Sequence, residues 1–152
     1  MIELYKPQVE DLWFKQLMLS DLETMEYNKK YGGTIDFPKE KWDQWLSSWM
    51  NNDKKYYRYL VNDETFVGEV AYYYDNYFSS YIASIIIYSK YRGKGFGKSG
   101  LNLLCDAAKK RGITDLYDNI SIDNLAGISL FKKCGFIEEY RNNEYVMMKK
   151  KL

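Results

Sequence analysis

Hydrophobic positions along the chain follow a helical period in some stretches and a strand period in others. Helical spacing runs through residues 9–17, after a proline at position 7 that suits a first helical turn. A second helical stretch carries an apolar stripe of four side chains: Trp42, Trp45, Leu46 and Trp49. Asp36 is the expected N-cap of that helix, with Pro38 early in it. Such a stripe is more typical of core packing than of a ligand-binding face.

Seven other stretches are rich in β-branched and aromatic residues and predict strands: residues 2–5, 56–61, 65–74, 80–88, 116–122, 136–140 and 144–148. A helix is predicted between the fourth and fifth of them, ending at Gly112, and a short one at residues 124–134, which Asn124 can cap. This order predicts a single domain, residues 1–152, with an α/β layer fold and a mixed sheet.

The strand near residues 82–88 leads into a basic turn with three alternating glycines, Gly93, Gly95 and Gly97. Glycines let the backbone approach a ligand closely and turn its N–H groups inward, and the helix behind them adds the positive end of its dipole. Three side chains add full positive charges: Arg92, Lys94 and Lys98. We interpret this turn as a site for a polyphosphate, most simply a pyrophosphate.

Neither common nucleotide motif fits the turn. The spacing is G-x-G-x-G, whereas a dinucleotide-binding fold needs G-x-G-x-x-G near the start of a βαβ unit. A P-loop needs a glycine where Arg92 stands, although Gly97, Lys98 and Ser99 resemble its last residues.

Composition excludes several function classes. A net charge of +1 gives no general reason to expect a nucleic acid or a membrane surface as a partner. The absence of histidine removes the usual Ser-His or Cys-His nucleophile pair, and with only two cysteines a zinc site is not expected. Cys105 and Cys134 fall in helical patterns and are interpreted as buried thiols. Without a leader or a long apolar run, a cytoplasmic protein is expected.

A second motif follows the glycine turn at a fixed separation: Asn124-x-x-Gly127-x-x-Leu130-Phe131-x-x-x-Gly135-Phe136. It resembles the closing motif of the GNAT superfamily of N-acetyltransferases, usually N-x-x-A-x-x-L-Y-x-x-x-G-F. The R-x-x-G-x-G sequence from Arg92 to Gly97 resembles the coenzyme A loop of the same superfamily. The resemblance covers roughly residues 65–148.

The resemblance implies a mostly antiparallel mixed sheet with a splayed parallel strand pair, helices on both faces, and acetyl-CoA as cosubstrate without a metal. The pantetheine arm would pair with one splayed strand, and the pyrophosphate would bind the backbone N–H groups of the loop. The residues implied in coenzyme binding are Ile85, Ile86, Ile87, Arg92, Gly93, Lys94, Gly95, Phe96, Gly97, Lys98, Ser99, Asn124 and Phe131.

The positions that usually carry the catalytic acid and base in this family are changed. Ala83 and Ser84 stand where a glutamate base is often found, and Phe131 stands where a tyrosine acid is often found. Asp118 and Glu69 are the candidates to receive the amine: Asp118 has the strand parity of an apolar face, and Glu69 lies in the middle of a neighbouring strand. Three tyrosines stay open as the acid: Tyr88, Tyr117 and Tyr145.

The resemblance therefore predicts an N-acetyltransferase that transfers acetyl to a primary amine of a small molecule or peptide by direct attack. Its abundant aromatic residues suit a small cationic amine, and the polar loop at residues 28–37 is expected to border the acceptor pocket. Two alternatives stay open: a CoA-binding sensor or interaction module without catalysis, and a nucleotide-binding regulator. A homodimer through the terminal hairpin is possible, but nothing in the sequence requires it.

Overall fold

A seven-stranded sheet organises the computed structural model, which describes residues 1–152. The strands are β1 Ile2–Tyr5, β2 Lys55–Asn62, β3 Thr65–Asp75, β4 Ser80–Ile87, β5 Asp115–Ser121, β6 Ile137–Arg141 and β7 Tyr145–Lys151. Their order across the sheet is β1-β2-β3-β4-β5-β7-β6. All neighbours pair antiparallel except β4 and β5, which are parallel. The predicted mixed, mostly antiparallel sheet is confirmed.

Four α-helices cover the sheet: α1 Trp13–Ser20, α2 Trp42–Met50, α3 Phe96–Lys110 and α4 Leu125–Lys133. Four 3₁₀ helices form at Val9–Leu12, Thr24–Tyr31, Lys39–Lys41 and Ser89–Tyr91. No helix combines the length and the apolar character that crossing a bilayer would require.

Each face of the sheet has its own apolar core. Leu101 and Leu104 of α3 pack with Val70 of β3 in one core, to which α4 also contributes. Phe14 of α1 and Trp42 of α2 belong to the other core, on the opposite face. Because side chains alternate along a strand, Val70 and its neighbour Ala71 fall in different cores. The helices therefore lie on both faces, as predicted.

The start of α2 differs from the prediction that Asp36 caps it. The backbone is still extended at Pro38, a 3₁₀ turn follows at Lys39–Lys41, and α2 begins only at Trp42. The physical reason is the burial of Phe37, whose ring lies 5.6 Å from that of Trp45 and whose carbonyl accepts a bond from the Trp42 indole N–H at 3.1 Å. The tryptophan stripe itself packs against the core, as expected.

Local signals elsewhere gave the right structure. Asn124 caps α4 through its side-chain oxygen, which accepts a bond from the Gly127 N–H at 3.0 Å. Cys105 and Cys134 are buried free thiols. The last strand extends three residues beyond the predicted end, to Lys151, because β7 continues to pair with the first residues of β5.

The parallel pair β4 and β5 separates along its length. The two strands pair at one position only, Ile82 with Tyr117. Beyond that position β4 stays bonded to β3 and β5 stays bonded to β7, so a gap opens in the middle of the sheet. Residues 84–87 of β4 are only half-buried because they border this gap.

Candidate active site

A cleft of about 810 Å³ occupies the gap between β4 and β5. One end is lined by the glycine turn and the start of α3, and one side by the first turns of α4. The 3₁₀ helix Thr24–Tyr31 forms the facing wall, to which residues 26–31 contribute. Three separate segments of the sequence, residues 26–31, 84–97 and 118–131, thus meet at one site.

The glycine turn presents a row of free backbone donors. Gly93 and Gly95 have φ angles of +77° and +82°, in the left-handed region, and Gly95 is the N-cap of α3. The N–H groups from Gly93 to Lys98 find no acceptor within the protein, and the first bond of this region runs from the Ser99 N–H to the Gly95 carbonyl. Six successive N–H groups at a helix N-terminus form an anion-binding concavity.

The backbone of β4 offers further hydrogen-bonding groups to the cleft. The Tyr88 N–H donates to the Val67 carbonyl of β3, and donor direction alternates along a strand. The backbone N–H and C=O groups of Ile86 therefore point to β3, whereas those of Ile85 and Ile87 point to the gap. The Ile87 carbonyl already accepts a bond from Arg92 Nε at 3.2 Å. The groups left free are the N–H of Ile87 and both groups of Ile85.

Arg92 has protein partners where a phosphate contact was expected. Besides its bond to Ile87, its guanidinium donates to the carbonyls of Glu23 at 3.2 Å and Thr24 at 2.9 Å. Arg92 thereby ties the glycine turn to the start of the Thr24–Tyr31 helix. Lys94, Lys98 and Ser99 are exposed and lie outside the cleft lining, whereas Phe96 and Gly97 are part of it.

The closing motif supplies the side of the cleft formed by α4. Asn124 lines the cleft while its Oδ1 caps the helix, so its amide group is held in a fixed orientation. Phe131 is buried, packs on Phe136 with ring centroids 4.8 Å apart, and also reaches the cleft. The structure places an apolar ring, without a hydroxyl, at this position.

Asp118 lies in the cleft wall on β5, between the buried residues Leu116 and Ile120 of the same strand face. Its carboxylate accepts no hydrogen bond from another side chain and has no ion-pair partner. Burial raises the pKa of Asp118 to about 8, against a smaller opposing effect of the adjacent Asn119 N–H. A carboxyl group with such a pKa exchanges a proton near neutral pH.

Glu69 of β3 lies on the face of the sheet opposite to that of Asp118, and it does not line the cleft. It is 5% exposed. Its Oε1 accepts bonds from Lys15 Nζ at 2.9 Å and from the Tyr57 hydroxyl at 2.6 Å. Lys15 Nζ also sits 4.6 Å from the centre of the Trp45 ring. Glu69 is therefore a member of a buried, neutralised pair rather than a free carboxylate.

The tyrosines named as acid candidates lie outside the cleft lining, and different tyrosines line it. Tyr27 comes from the Thr24–Tyr31 helix and is accompanied by Tyr31 and Tyr91. Desolvation, followed by the Glu69 and Asp118 carboxylates, raises the pKa of Tyr27 to about 12. Sequence reasoning missed Tyr27 because residues 21–27 have no clear periodicity, although the adjacent loop was expected to border the acceptor pocket.

An exposed ion pair spans the mouth of the cleft. Lys30 of the Thr24–Tyr31 helix pairs with Asp123, which precedes α4. Both residues line the cleft, on opposite sides of it.

Known proteins with similar structures share the whole fold. Spermidine N-acetyltransferase from Vibrio cholerae, solved with CoA and spermine, superimposes with a TM-score of 0.82 over 99% of this chain and 95% of that chain, at 18% identity. The ribosomal-protein-alanine N-acetyltransferase from Brucella melitensis gives a TM-score of 0.79 over 100% of this chain and 99% of that chain, at 23% identity. At these identities the likeness concerns the fold.

Sequence comparison gives the family. An uncharacterized N-acetyltransferase from Bacillus subtilis, YobR, is 33% identical over 55 residues, which are 36% of this chain but only 22% of that protein. The family model described as the acetyltransferase (GNAT) family matches residues 17–136, from α1 to the end of the closing motif. The chain belongs to the GNAT family of acetyltransferases.

Proposed function

We propose that this protein transfers an acetyl group from acetyl-CoA to a primary amine of a small molecule or peptide, and that Asp118 receives the proton of the attacking amine. The observation that carries the proposal is the cleft itself. It joins a row of free backbone N–H groups at one end to a carboxyl group with a raised pKa in its wall.

The chain's own groups fit the coenzyme. Six N–H groups at the N-terminus of a 15-residue helix suit a pyrophosphate. The free backbone groups of Ile85 and the Ile87 N–H suit the amides of a pantetheine arm, which would add to β4 as a strand adds to a sheet edge. Asn124, at the side of the same cleft, suits a contact to that arm.

Asp118 is better placed than Glu69 to accept the proton. An ammonium group must lose a proton before nitrogen can attack the thioester carbonyl, and a base with a pKa near the working pH is the most effective. Asp118 lies in the cleft with no side-chain partner. Glu69 lies on β3, outside the cleft lining, and is already bonded to Lys15 and Tyr57.

The acceptor is expected to be a compact amine. The facing wall carries two tyrosines, whose ring faces attract a cation, whereas the charge of Glu26 in the same wall is paired with Lys29 at 3.7 Å. The fold neighbours include a spermidine and a ribosomal-protein-alanine N-acetyltransferase, so both small amines and peptide N-termini belong in a test panel.

Release of free thiol from acetyl-CoA, measured with a panel of polyamines, amino sugars and peptides, tests the proposal. Asp118→Asn should lower kcat by about 10²–10⁴-fold, the usual cost of losing a positioned base, while CoA affinity by calorimetry stays within a few-fold. Asp115→Asn, on the same strand but outside the cleft, is the matched control and should keep wild-type turnover.

Two outcomes would contradict the proposal. If the wild-type protein binds CoA but acetylates no amine in the panel, the alternative of a CoA-binding module gains, because Ala83, Ser84 and Phe131 replace the usual catalytic residues. If Asp118→Asn turns over normally, the role of Asp118 is wrong and the base is another group or water.

A further inference from the structure

The leaving thiolate lacks the proton donor that the closing motif usually carries. When nitrogen attacks the thioester and the C–S bond breaks, the electron pair of that bond passes to sulfur. Protonation there assists its departure. Position 131 cannot assist, because Phe131 presents a ring without a hydroxyl to the cleft.

Tyr27 reaches the same cleft from the facing wall. It belongs to the Thr24–Tyr31 helix, and both Tyr27 and Phe131 line the cleft together with Asp118. Tyr27 is 46% exposed, so the residue also borders solvent at the cleft.

The helix that carries Tyr27 is anchored at its first residues. Asp21 accepts bonds from the Thr24 N–H at 3.0 Å and from the Ser89 hydroxyl at 2.6 Å. The Ser89 N–H in turn donates to the Thr24 hydroxyl at 2.9 Å, and Arg92 binds the Thr24 carbonyl at 2.9 Å. Hydrogen bonds from two residues next to the glycine turn therefore fix the position from which Tyr27 projects.

The two other tyrosines of the cleft are less suitable. Tyr31 is 73% exposed and follows Lys30, which pairs with Asp123 across the mouth. Tyr91 directly precedes Arg92 and packs against Tyr88 with ring centroids 5.9 Å apart, which places it beside the glycine turn. Desolvation, followed by the Glu69 and Asp118 carboxylates, raises the pKa of Tyr27 to about 12, so its hydroxyl carries a proton at neutral pH.

We propose that Tyr27 is the general acid of the transfer, supplying from the Thr24–Tyr31 helix the hydroxyl that position 131 lacks. The inference rests on the proposed function. The acceptor ammonium first loses one proton to solvent by way of Asp118, and the neutral nitrogen then forms a bond to the carbonyl carbon. Asp118 takes the second proton from that nitrogen, and the C–S bond breaks as the Tyr27 O–H delivers its proton to sulfur. Proton return from Asp118 through solvent restores the phenol, so one of the two protons lost by the ammonium reaches the thiol and the other is released to solvent.

The test compares Tyr27→Phe with the wild-type protein in steady-state acetyl transfer and in calorimetric CoA binding. The inference predicts a fall in kcat of about 10²-fold or more, with the acceptor KM and the CoA Kd within a few-fold. Tyr77→Phe, a turn residue that is 87% exposed, is the control and should change none of the three.

A pH profile separates acid catalysis from positioning. A ring-fluorinated tyrosine at position 27 lowers the phenol pKa into the measurable range, so kcat should fall at high pH with an inflection that the wild-type protein does not show. Unchanged kcat in Tyr27→Phe, or a change confined to KM or CoA affinity, would overturn the inference, as would a fluorinated enzyme without the new inflection. Absence of wild-type turnover would instead refute the proposed function.

Discussion

Gly95 and Gly112 form a natural pair for testing whether the glycine turn binds a phosphate group. Their φ angles are +82° and +83°, and an added Cβ would meet no atom within 4 Å at either position. Alanine in this region of backbone space costs about 1–2 kcal/mol at each site. For a chain of this size that cost lowers Tm by about 2–8 °C. The two variants should therefore lose similar stability.

Gly95→Ala and Gly112→Ala should differ in CoA affinity. Gly95 lines the cleft and begins the row of helix N–H groups, whereas Gly112 follows the other end of α3. A methyl group at Gly95 occupies space open to the phosphates and displaces at least one N–H contact. A hydrogen bond to a charged group contributes about 1.5–3 kcal/mol, which corresponds to a loss of about 10- to 150-fold in Kd. Calorimetric titration of CoA into both variants measures this loss of affinity. Equal CoA affinities of the two variants would refute the phosphate role of the turn.

Three further predictions concern the groups around the cleft. Because the folded-state pKa of Asp118 is raised to about 8, the free energy of unfolding should fall as pH rises from about 4 to about 8, by at most about 1.4 kcal/mol per pH unit. Urea titrations at several pH values should show that the free energy of unfolding of Asp118→Asn changes less steeply with pH than that of the wild-type protein. An identical pH dependence in the two proteins would contradict the raised pKa of Asp118. Arg92→Gln should speed amide hydrogen exchange in the Thr24–Tyr31 helix but not in α3. Lys94→Gln, a substitution at an exposed position of the same turn, should change the exchange rates of neither helix. Equal exchange rates of the Thr24–Tyr31 helix in the two variants would show that Arg92 does not hold that helix. Lys15→Met should lower the free energy of unfolding, measured by chemical denaturation, by about 3–5 kcal/mol, because it leaves Glu69 buried without its cation. The double variant Lys15→Met with Glu69→Gln should recover part of that loss. If the effects of the two substitutions on the free energy of unfolding simply add, Lys15 and Glu69 are not a coupled pair.

Local sequence signals were sufficient wherever the structure depends on neighbouring residues. The strand-turn-helix around Gly93 and Gly95 and the cap at Asn124 each result from a short segment whose conformation is set by its own side chains and glycines. The prediction that Asp36 is the N-cap of α2 was wrong, because a tertiary contact, the burial of Phe37 against α2, keeps the chain extended before that helix begins.

The parts of the site that sequence could not predict depend on contacts between distant residues. Glu69 is neutralised by Lys15, which lies 54 positions earlier, so neither residue's own neighbourhood reveals the pair. Tyr27 enters the cleft because Arg92, 68 positions after Thr24, holds the helix that carries it. Asp118 was identifiable from strand parity, but its solvation and its lack of a partner are properties of the assembled cleft.

A crystal structure with CoA bound would show directly whether the cleft holds the coenzyme. Pyrophosphate oxygens should lie about 2.7–3.2 Å from backbone nitrogens of the turn between Gly93 and Lys98, and the sulfur should lie in the gap between β4 and β5, on the side of Asp118 and Tyr27. A coenzyme bound elsewhere, or one whose sulfur points away from Asp118, would contradict both the phosphate role of the turn and the catalytic role of Asp118.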